Sequence, residues 1–285
     1  MASTADNLHR ADEIKVRPLP RFGVEVEGVD ISQPLNQSAR NKILYLADNE
    51  LLLVFRNQPL NEDQFVAFSE ALGNLIPVPE ERLRSLTNPL VHRIGNVGKA
   101  GETLLDDDPE TQVTYAAELW HSDGSYKPVP NYLTALTTVE VPPVGGGTMF
   151  ASMVAAYEAL PQERKAFLAD KAMEHPYPGN SKKVKDWEGV RHEVVAHPIV
   201  RELPNGKRAL FFSPWGGGIV GMSEEKGRAL LKELLDFSTG PEFVHEHSWR
   251  PGDTVLWNNR GLLHAGSGWD RKKYRRLLLR TEFSG

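Results

Sequence analysis

The sequence predicts a mainly β fold with helical insertions, built as a sandwich or barrel of strands. Three observations carry that reading. Strand-like runs are scattered along the whole chain. Helical patterns come in blocks between them, without the strict alternation of a doubly wound sheet. No internal repeat or low-complexity segment interrupts the pattern.

The elements follow in order. Residues 1–13 are polar and lack the apolar core of a signal peptide, so this stretch is expected to be disordered. Residues 14–285 are expected to form one domain. Residues 14–29 alternate apolar and polar, as in Gly23-Val24-Glu25-Val26-Glu27-Gly28-Val29, and read as a strand and a turn. The spacing over 38–49 puts Ile43, Leu44 and Leu46 on one side of a helix. The apolar run 51–55 reads as a buried strand. Residues 61–72 read as a helix: Asn61 caps it, Gln64 stands where a capping box needs it, and Gly73 ends it. A short strand is predicted over 91–94. Residues 95–118 carry Gly98, Gly101, Asp106-Asp107-Asp108 and Pro109. A connection this long and polar reads as a lid-like loop with its acidic run in solvent.

Residues 131–141 read as a strand, and Gly145-Gly146-Gly147 leads into Thr148-Met149-Phe150. Two short helices are predicted over 153–160 and 161–169, Pro161 opening the second. Strands at 194–200 and 209–213 flank a turn at Pro204-Asn205-Gly206. Ser223 caps an amphipathic helix over 223–237 that ends near Gly240. Segments 243–249, 254–257 and 274–283 complete the strand set.

Composition narrows the function. The 285 residues are 40% hydrophobic and 25% charged, ordinary for a globular protein. A net charge of -5 argues against a nucleic-acid partner. No apolar run is long enough to span a bilayer. The lack of cysteine removes disulfides, iron–sulfur clusters, thiolate zinc sites and cysteine nucleophiles, and fits a cytoplasmic protein.

His121 and Asp123, in Leu119-Trp120-His121-Ser122-Asp123-Gly124-Ser125-Tyr126, carry the clearest chemistry. Residues i and i+2 of an extended segment point the same way, so both side chains reach one ion. On its own the pair reads more readily as a loop histidine and aspartate bonded to each other or to backbone. His264 adds a third donor from a turn-rich segment beyond the 254–257 strand. Two imidazoles and one carboxylate hold a metal on one face and leave its other positions open, which suits non-haem Fe(II) enzymes that activate oxygen. His245 and His247 share the same spacing around Glu246. They read as a solvent-facing pair and as the second choice of metal site. His9, His92, His175, His192 and His197 lack such company.

The last strand alternates. Arg276, Leu278, Arg280 and Glu282 take one face; Arg275, Leu277, Leu279, Thr281 and Phe283 take the other. If that first face points inward, two guanidinium groups need anions, because an unpaired buried charge is costly. Arg276 suits a bidentate carboxylate and Arg280 a second anion. Pairing with protein carboxylates such as Glu282 accounts for them as well.

Taken in order, these residues resemble the taurine dioxygenase/2,4-dichlorophenoxyacetate dioxygenase (TauD/TfdA) family of Fe(II)- and 2-oxoglutarate-dependent dioxygenases. The resemblance runs from about Gly23 to the C-terminus. It includes Leu53-Val54-Phe55-Arg56-Asn57-Gln58, Trp120-His121-Ser122-Asp123, Gly146-Gly147-Thr148-Met149-Phe150-Ala151-Ser152, Asn259-Arg260 with His264, and the two arginines. It implies a double-stranded β-helix, the jelly roll of clavaminate synthase-like enzymes. It implies Fe(II) on His121, Asp123 and His264, 2-oxoglutarate on Arg276 and Thr148, O2 as co-reactant, and a substrate anion on Arg280 beside Gly124. Asp123 further implies oxygen transfer rather than halogenation, since halide-transferring relatives have Gly or Ala there.

Two departures stand out. The family usually has Asp where this chain has Asn258, which implies a local structural effect rather than lost iron binding. Taurine enzymes place a sulfonate-contacting histidine near the position of Ile76. The resemblance therefore implies hydroxylation of an unactivated C–H bond in a small organic anion, with an aryloxyalkanoate-like carboxylate favoured. Next to an ether oxygen, the product collapses and the ether is cleaved. A taurine or alkylsulfonate enzyme is the alternative within the family. From other classes, a metal-dependent hydrolase would use the same triad with a bound water, but leaves Arg276 and Thr148 without a partner. A non-catalytic 2-oxoglutarate-binding module is the third reading. A homo-oligomer, dimer or tetramer, is compatible with the chain.

Overall fold

The computed structural model describes residues 13–177, 194–214 and 217–285. The expectation of a disordered N-terminus lies outside them, Glu13 aside, as do His9 and His192. The first half holds β1 (Lys15–Pro18), β2 (Val24–Glu27), α1 (Gln37–Glu50), β3 (Leu52–Phe55), α2 (Glu62–Leu72), β4 (His92–Gly95), α3 (Pro109–Ala116) and β5 (Leu133–Glu140). Then come β6 (Thr148–Ser152), α4 (Met153–Ala159), α5 (Gln162–Leu168), β7 (Ala172–His175), β8 (Val195–Pro198), β9 (Val200–Glu202) and β10 (Arg208–Leu210). The chain closes with α6 (Glu224–Ser238), β11 (Val244–His247), β12 (Thr254–Asn258), β13 (Leu262–Gly266) and β14 (Leu277–Glu282).

Local chemistry explains the helix ends. Asn36 caps α1 by accepting from the Ala39 amide at 2.9 Å. Asn61 and Gln64 exchange both bonds of the expected capping box at α2. Ser223 caps α6 as expected. The acidic run before α3 also works as a cap, with Asp108 accepting from the Glu110 amide at 2.8 Å. The 95–118 stretch is thus not a plain loop. Pro109 opens a helix inside it.

Seven strands form the larger sheet, in the order β1-β2-β3-β12-β5-β14-β4, and β11-β6-β13 forms a facing three-stranded sheet. This is the jelly roll that the resemblance implied. Two apolar cores flank the larger sheet. Leu52 and Val54 of β3, Val255 and Trp257 of β12, and Leu278 of β14 join Phe150 and Leu263 from the smaller sheet. The alternate residues Leu53, Phe55, Leu256 and Leu279 pack with Ile43, Phe65 and Phe68 under α1 and α2. A strand buried on both faces reads as an unbroken apolar run, which is why 51–55 shows no alternation. Trp257 is fully buried; truncating such a side chain to alanine costs about 3–5 kcal/mol.

The structure corrects three further sequence expectations. His264 does not sit in a turn-rich connection but on a strand, β13, paired antiparallel to β6. The strand expected at 194–200 is two, β8 paired with β7 and β9 paired with β10. His245 and His247 do not face solvent: both are buried, and Glu246 between them is exposed. They still share one face, as their spacing required, but β6 turns that face inward.

Candidate metal and anion site

The backbone brings two of the three donors together. His121 and His264 form an isolated antiparallel bridge. The His121 amide donates to the His264 carbonyl at 2.9 Å, and the His264 amide donates back at 2.8 Å. Directly paired residues put their side chains on the same side, so the ring centroids are 4.1 Å apart. Asp123, two residues on, returns to that side. Its Oδ1 lies 3.8 Å from His121 Nε2 and its Oδ2 lies 3.6 Å from His264 Nε2. One donor atom from each residue lies within 4.8 Å of the others, and no other group of three potential ligands does so among the described residues. His245 and His247 are thus not a metal site of this kind. His247 instead lies 3.3 Å from Asp253, which Arg56 also holds.

The surroundings suit a cation. His121 Nδ1 lies 2.7 Å from the Leu119 carbonyl. A carbonyl only accepts, so Nδ1 carries the hydrogen and Nε2 keeps its lone pair toward Asp123. Burial pushes the His264 imidazole down to about 3, reinforced by His121, and lowers His121 too. Both rings are neutral at physiological pH, as metal ligands must be. Burial pushes the Asp123 carboxyl up, but the Arg280 charge and the Thr134 hydroxyl hold it below its usual range. Two neutral imidazoles and an ionised carboxylate with open space beside them fit ferrous iron.

A polar frame holds Asp123 in place. Thr134 donates to its Oδ2 at 2.8 Å. Asn259 donates to the Thr134 hydroxyl at 2.9 Å and accepts from the Asp123 amide and from Trp257 Nε1. Sequence reasoning missed the part played by Thr134. Nothing in a lone strand threonine marks it. Asn258, the departure from the family pattern, points elsewhere. It donates to Asp48 Oδ1 at 3.1 Å, an oxygen that also accepts from Tyr132. An aspartate there would face a second carboxylate, so asparagine fits its neighbour and leaves the metal site alone.

Arg276 and Thr148 meet in a cavity that also reaches His121, His264 and Trp257. Arg276 is 5% exposed. Its Nε donates to the Gly146 carbonyl at 2.9 Å and its guanidinium lies 5.1 Å from the Trp269 ring centre. Gly146 has φ +68°, and a Cβ there would sit 3.2 Å from Arg276 Cδ and 2.7 Å from Pro142 Cγ. The glycine run therefore allows the close approach. No carboxylate pairs with Arg276 among the described residues; nearby Glu118 is taken by Arg271. Burial, with Arg271 beside it, pulls the Arg276 guanidinium down to about 10, still charged at neutral pH. Thr148 Oγ accepts from Trp249 Nε1 at 3.0 Å, which leaves its hydrogen free to donate.

Arg280, four residues on, borders that cavity too and faces a larger one with an apolar wall that includes Ile76, Val78, Leu83, Leu90, Ile94 and Val113. Here both readings of the sequence meet. Arg280 faces the cavity, and it also pairs with Asp123 Oδ1 at 3.2 Å and with Glu282 Oε1 at 2.7 Å. Gly124 borders the same cavity. Its φ of +63° and the Asn131 amide, 2.3 Å from any added Cβ, give it a structural reason to be glycine. Helix α3 supplies Val113, Thr114 and Ala116 to the wall. His92, passed over in the sequence, stands beside Arg280.

Comparison with known proteins agrees with this geometry. The family model for the taurine catabolism dioxygenase TauD, TfdA family, matches residues 15–281. The alpha-ketoglutarate-dependent 2,4-dichlorophenoxyacetate dioxygenase of Cupriavidus pinatubonensis is 35% identical over 269 residues, covering 90% of this chain and 93% of that one. The (S)-phenoxypropionate/alpha-ketoglutarate-dioxygenase of Sphingobium herbicidovorans is 31% identical and covers 82% of each chain. A crystal structure of AAD-2 in complex with Mn(II) and N-oxalylglycine matches with a TM-score of 0.86 at 32% identity, over 95% of this chain and 98% of that one. No described helix is long and apolar enough to cross a membrane. A match that runs from the first strand into the last, over the same strands that gather the three donors, places this chain in the TauD/TfdA family, as a 2-oxoglutarate-dependent dioxygenase that works with Fe(II) and O2.

Proposed function

We propose that this dioxygenase acts on an aryloxyalkanoate-like carboxylate and hydroxylates the carbon beside its ether oxygen. One observation carries the reading: a single cavity joins the metal-side face of His121 and Asp123, the Arg280 guanidinium and a long apolar wall. An aromatic ring with a short acidic arm matches that combination. Ile76 on the wall, where taurine enzymes place a polar contact, adds support. So do relatives whose names specify phenoxy acids.

In this reading His121, Asp123 and His264 hold Fe(II). Arg276 takes the far carboxylate of 2-oxoglutarate in a two-pronged pair, and Thr148 donates to the same group. Bound iron and 2-oxoglutarate supply the oxidising chemistry; the protein supplies position and a dry pocket. Arg280 orients the substrate acid so that its ether-linked carbon faces the triad. The wall that includes Val113 excludes water from that carbon, which makes α3 part of a lid. Insertion of one oxygen atom into the C–H bond beside the ether oxygen gives a hemiacetal, whose bond to the ether oxygen breaks to release a phenol and an aldehyde or keto acid.

The test is a turnover screen with Fe(II), ascorbate and 2-oxoglutarate across aryloxy acids, other carboxylates and alkylsulfonates. Succinate and phenol release with aryloxy acids is the expected result. Succinate release with sulfonates alone would overturn the substrate assignment. Turnover that persists without oxygen would point to a hydrolase.

A further inference from the structure

In the pairing of β4 with β14, His92 stands directly opposite Arg280. The ring is 6% exposed and borders the larger cavity. Its Nδ1 lies 2.8 Å from Arg280 Nη2. A guanidinium can only donate, so Nδ1 accepts and the ring hydrogen sits on Nε2. Burial, and then the charge of Arg280, push the imidazole well below its usual value and keep it neutral. The side chain makes no other hydrogen bond among the described residues. Nε2 is not fully enclosed, and the ring lines the cavity.

Arg280 cannot hold an incoming acid alone at full strength. Asp123 and Glu282 already share its charge, and Nη2 already serves both Glu282 and His92. A carboxylate has two oxygens to satisfy, and a neutral N–H beside the guanidinium provides the second donor without another charge to bury.

We propose that His92 is a specificity-determining residue of this chain: its Nε2–H donates to the anionic group of the substrate while its Nδ1 fixes the Arg280 guanidinium beside it. This rests on the reading of the substrate as a small organic acid.

The test compares 2,4-dichlorophenoxyacetate with its neutral amide, by succinate release, in the wild type, His92→Asn and His92→Gln. Asparagine places a carbonyl near the Nδ1 position, so it still accepts from Arg280, but it has no donor at the Nε2 position. Glutamine carries its amide to the Nε2 position. His92→Asn is expected to raise KM for the acid roughly tenfold, with kcat and the KM for 2-oxoglutarate within about twofold of wild type. Its preference for acid over amide shrinks by the same factor, and His92→Gln recovers most of it. An unchanged KM for the acid in His92→Asn overturns the proposal. So does an equal loss in both variants, or a parallel rise in the KM for 2-oxoglutarate, since each marks a packing role. If the wild type itself does not prefer the acid, the substrate reading fails and this proposal falls with it. If that preference is present and the variants keep it, only the role of His92 fails.

Discussion

Arg276 and Arg280 come from one stretch of chain, both lie largely out of solvent, and yet they sit in opposite electrostatic settings. Among the described residues Arg276 has no carboxylate partner, and burial draws its guanidinium down. Burial draws Arg280 down as well, but Glu282 and Asp123 outweigh it and leave the group above its ordinary value. The difference teaches how two anions are sorted in a small space. A bare buried guanidinium favours whatever carboxylate arrives, which suits a co-substrate needed in every turnover. A guanidinium already compensated gains less from an anion, so shape and neighbouring donors decide which one stays.

The hardest blow to this contrast is Asp123→Ala, which removes a metal donor and one of the two anions that distinguish Arg280. Oxygen consumption is expected to fall below detection, and calorimetric binding of Mn(II) to be lost. Retained Mn(II) affinity would detach Asp123 from the metal.

Arg276→Gln comes next. On the proposed reading it leaves the far carboxylate of 2-oxoglutarate buried without a counter-charge, at a cost of about 3–5 kcal/mol. The KM for 2-oxoglutarate is expected to rise on the order of 10²–10³-fold, with little change in the KM for the aryloxy acid. Arg280→Gln is expected to do the reverse and more gently, raising the KM for the acid by roughly 10–100-fold, the worth of a hydrogen bond to a charged group. If the two variants affect the same KM, the division of labour between the arginines is wrong.

Much of this contrast was legible in the sequence, because it depends on local periodicity. The i, i+2 rule put His121 with Asp123 and Arg276 with Arg280 before any tertiary contact was known. The capping box of α2, the Ser223 cap of α6 and the apolar runs were legible for the same reason. What depended on partners far along the chain was not. Leu262–Gly266 is short and ends in glycine, and it is a strand because β6 pairs with it. His245 and His247 were grouped correctly, but their polarity suggested the wrong face, and only the register with Phe150 and Thr148 settles that. His92 looked like an isolated histidine because its meaning comes from Arg280, on a neighbouring strand far along the chain. Helix α3 was hidden by a solvent-like acidic run whose last member is its cap.

The smallest effect separates the two cavities by their walls rather than their charges. Val113 on α3 borders the larger cavity and not the one that holds Arg276. Val113→Ala removes apolar contact worth about 0.8 kcal/mol per lost CH2-sized group, so the KM for an aryloxy acid should rise about fourfold to tenfold. The KM for 2-oxoglutarate should stay put, because nothing that lines its proposed seat has changed. Equal rises in both constants would mean that α3 supports the whole site instead of covering one end of it. A rise for the aryloxy acid that disappears with a short aliphatic acid would tie the effect to the ring, since only a substrate long enough to reach α3 can lose that contact.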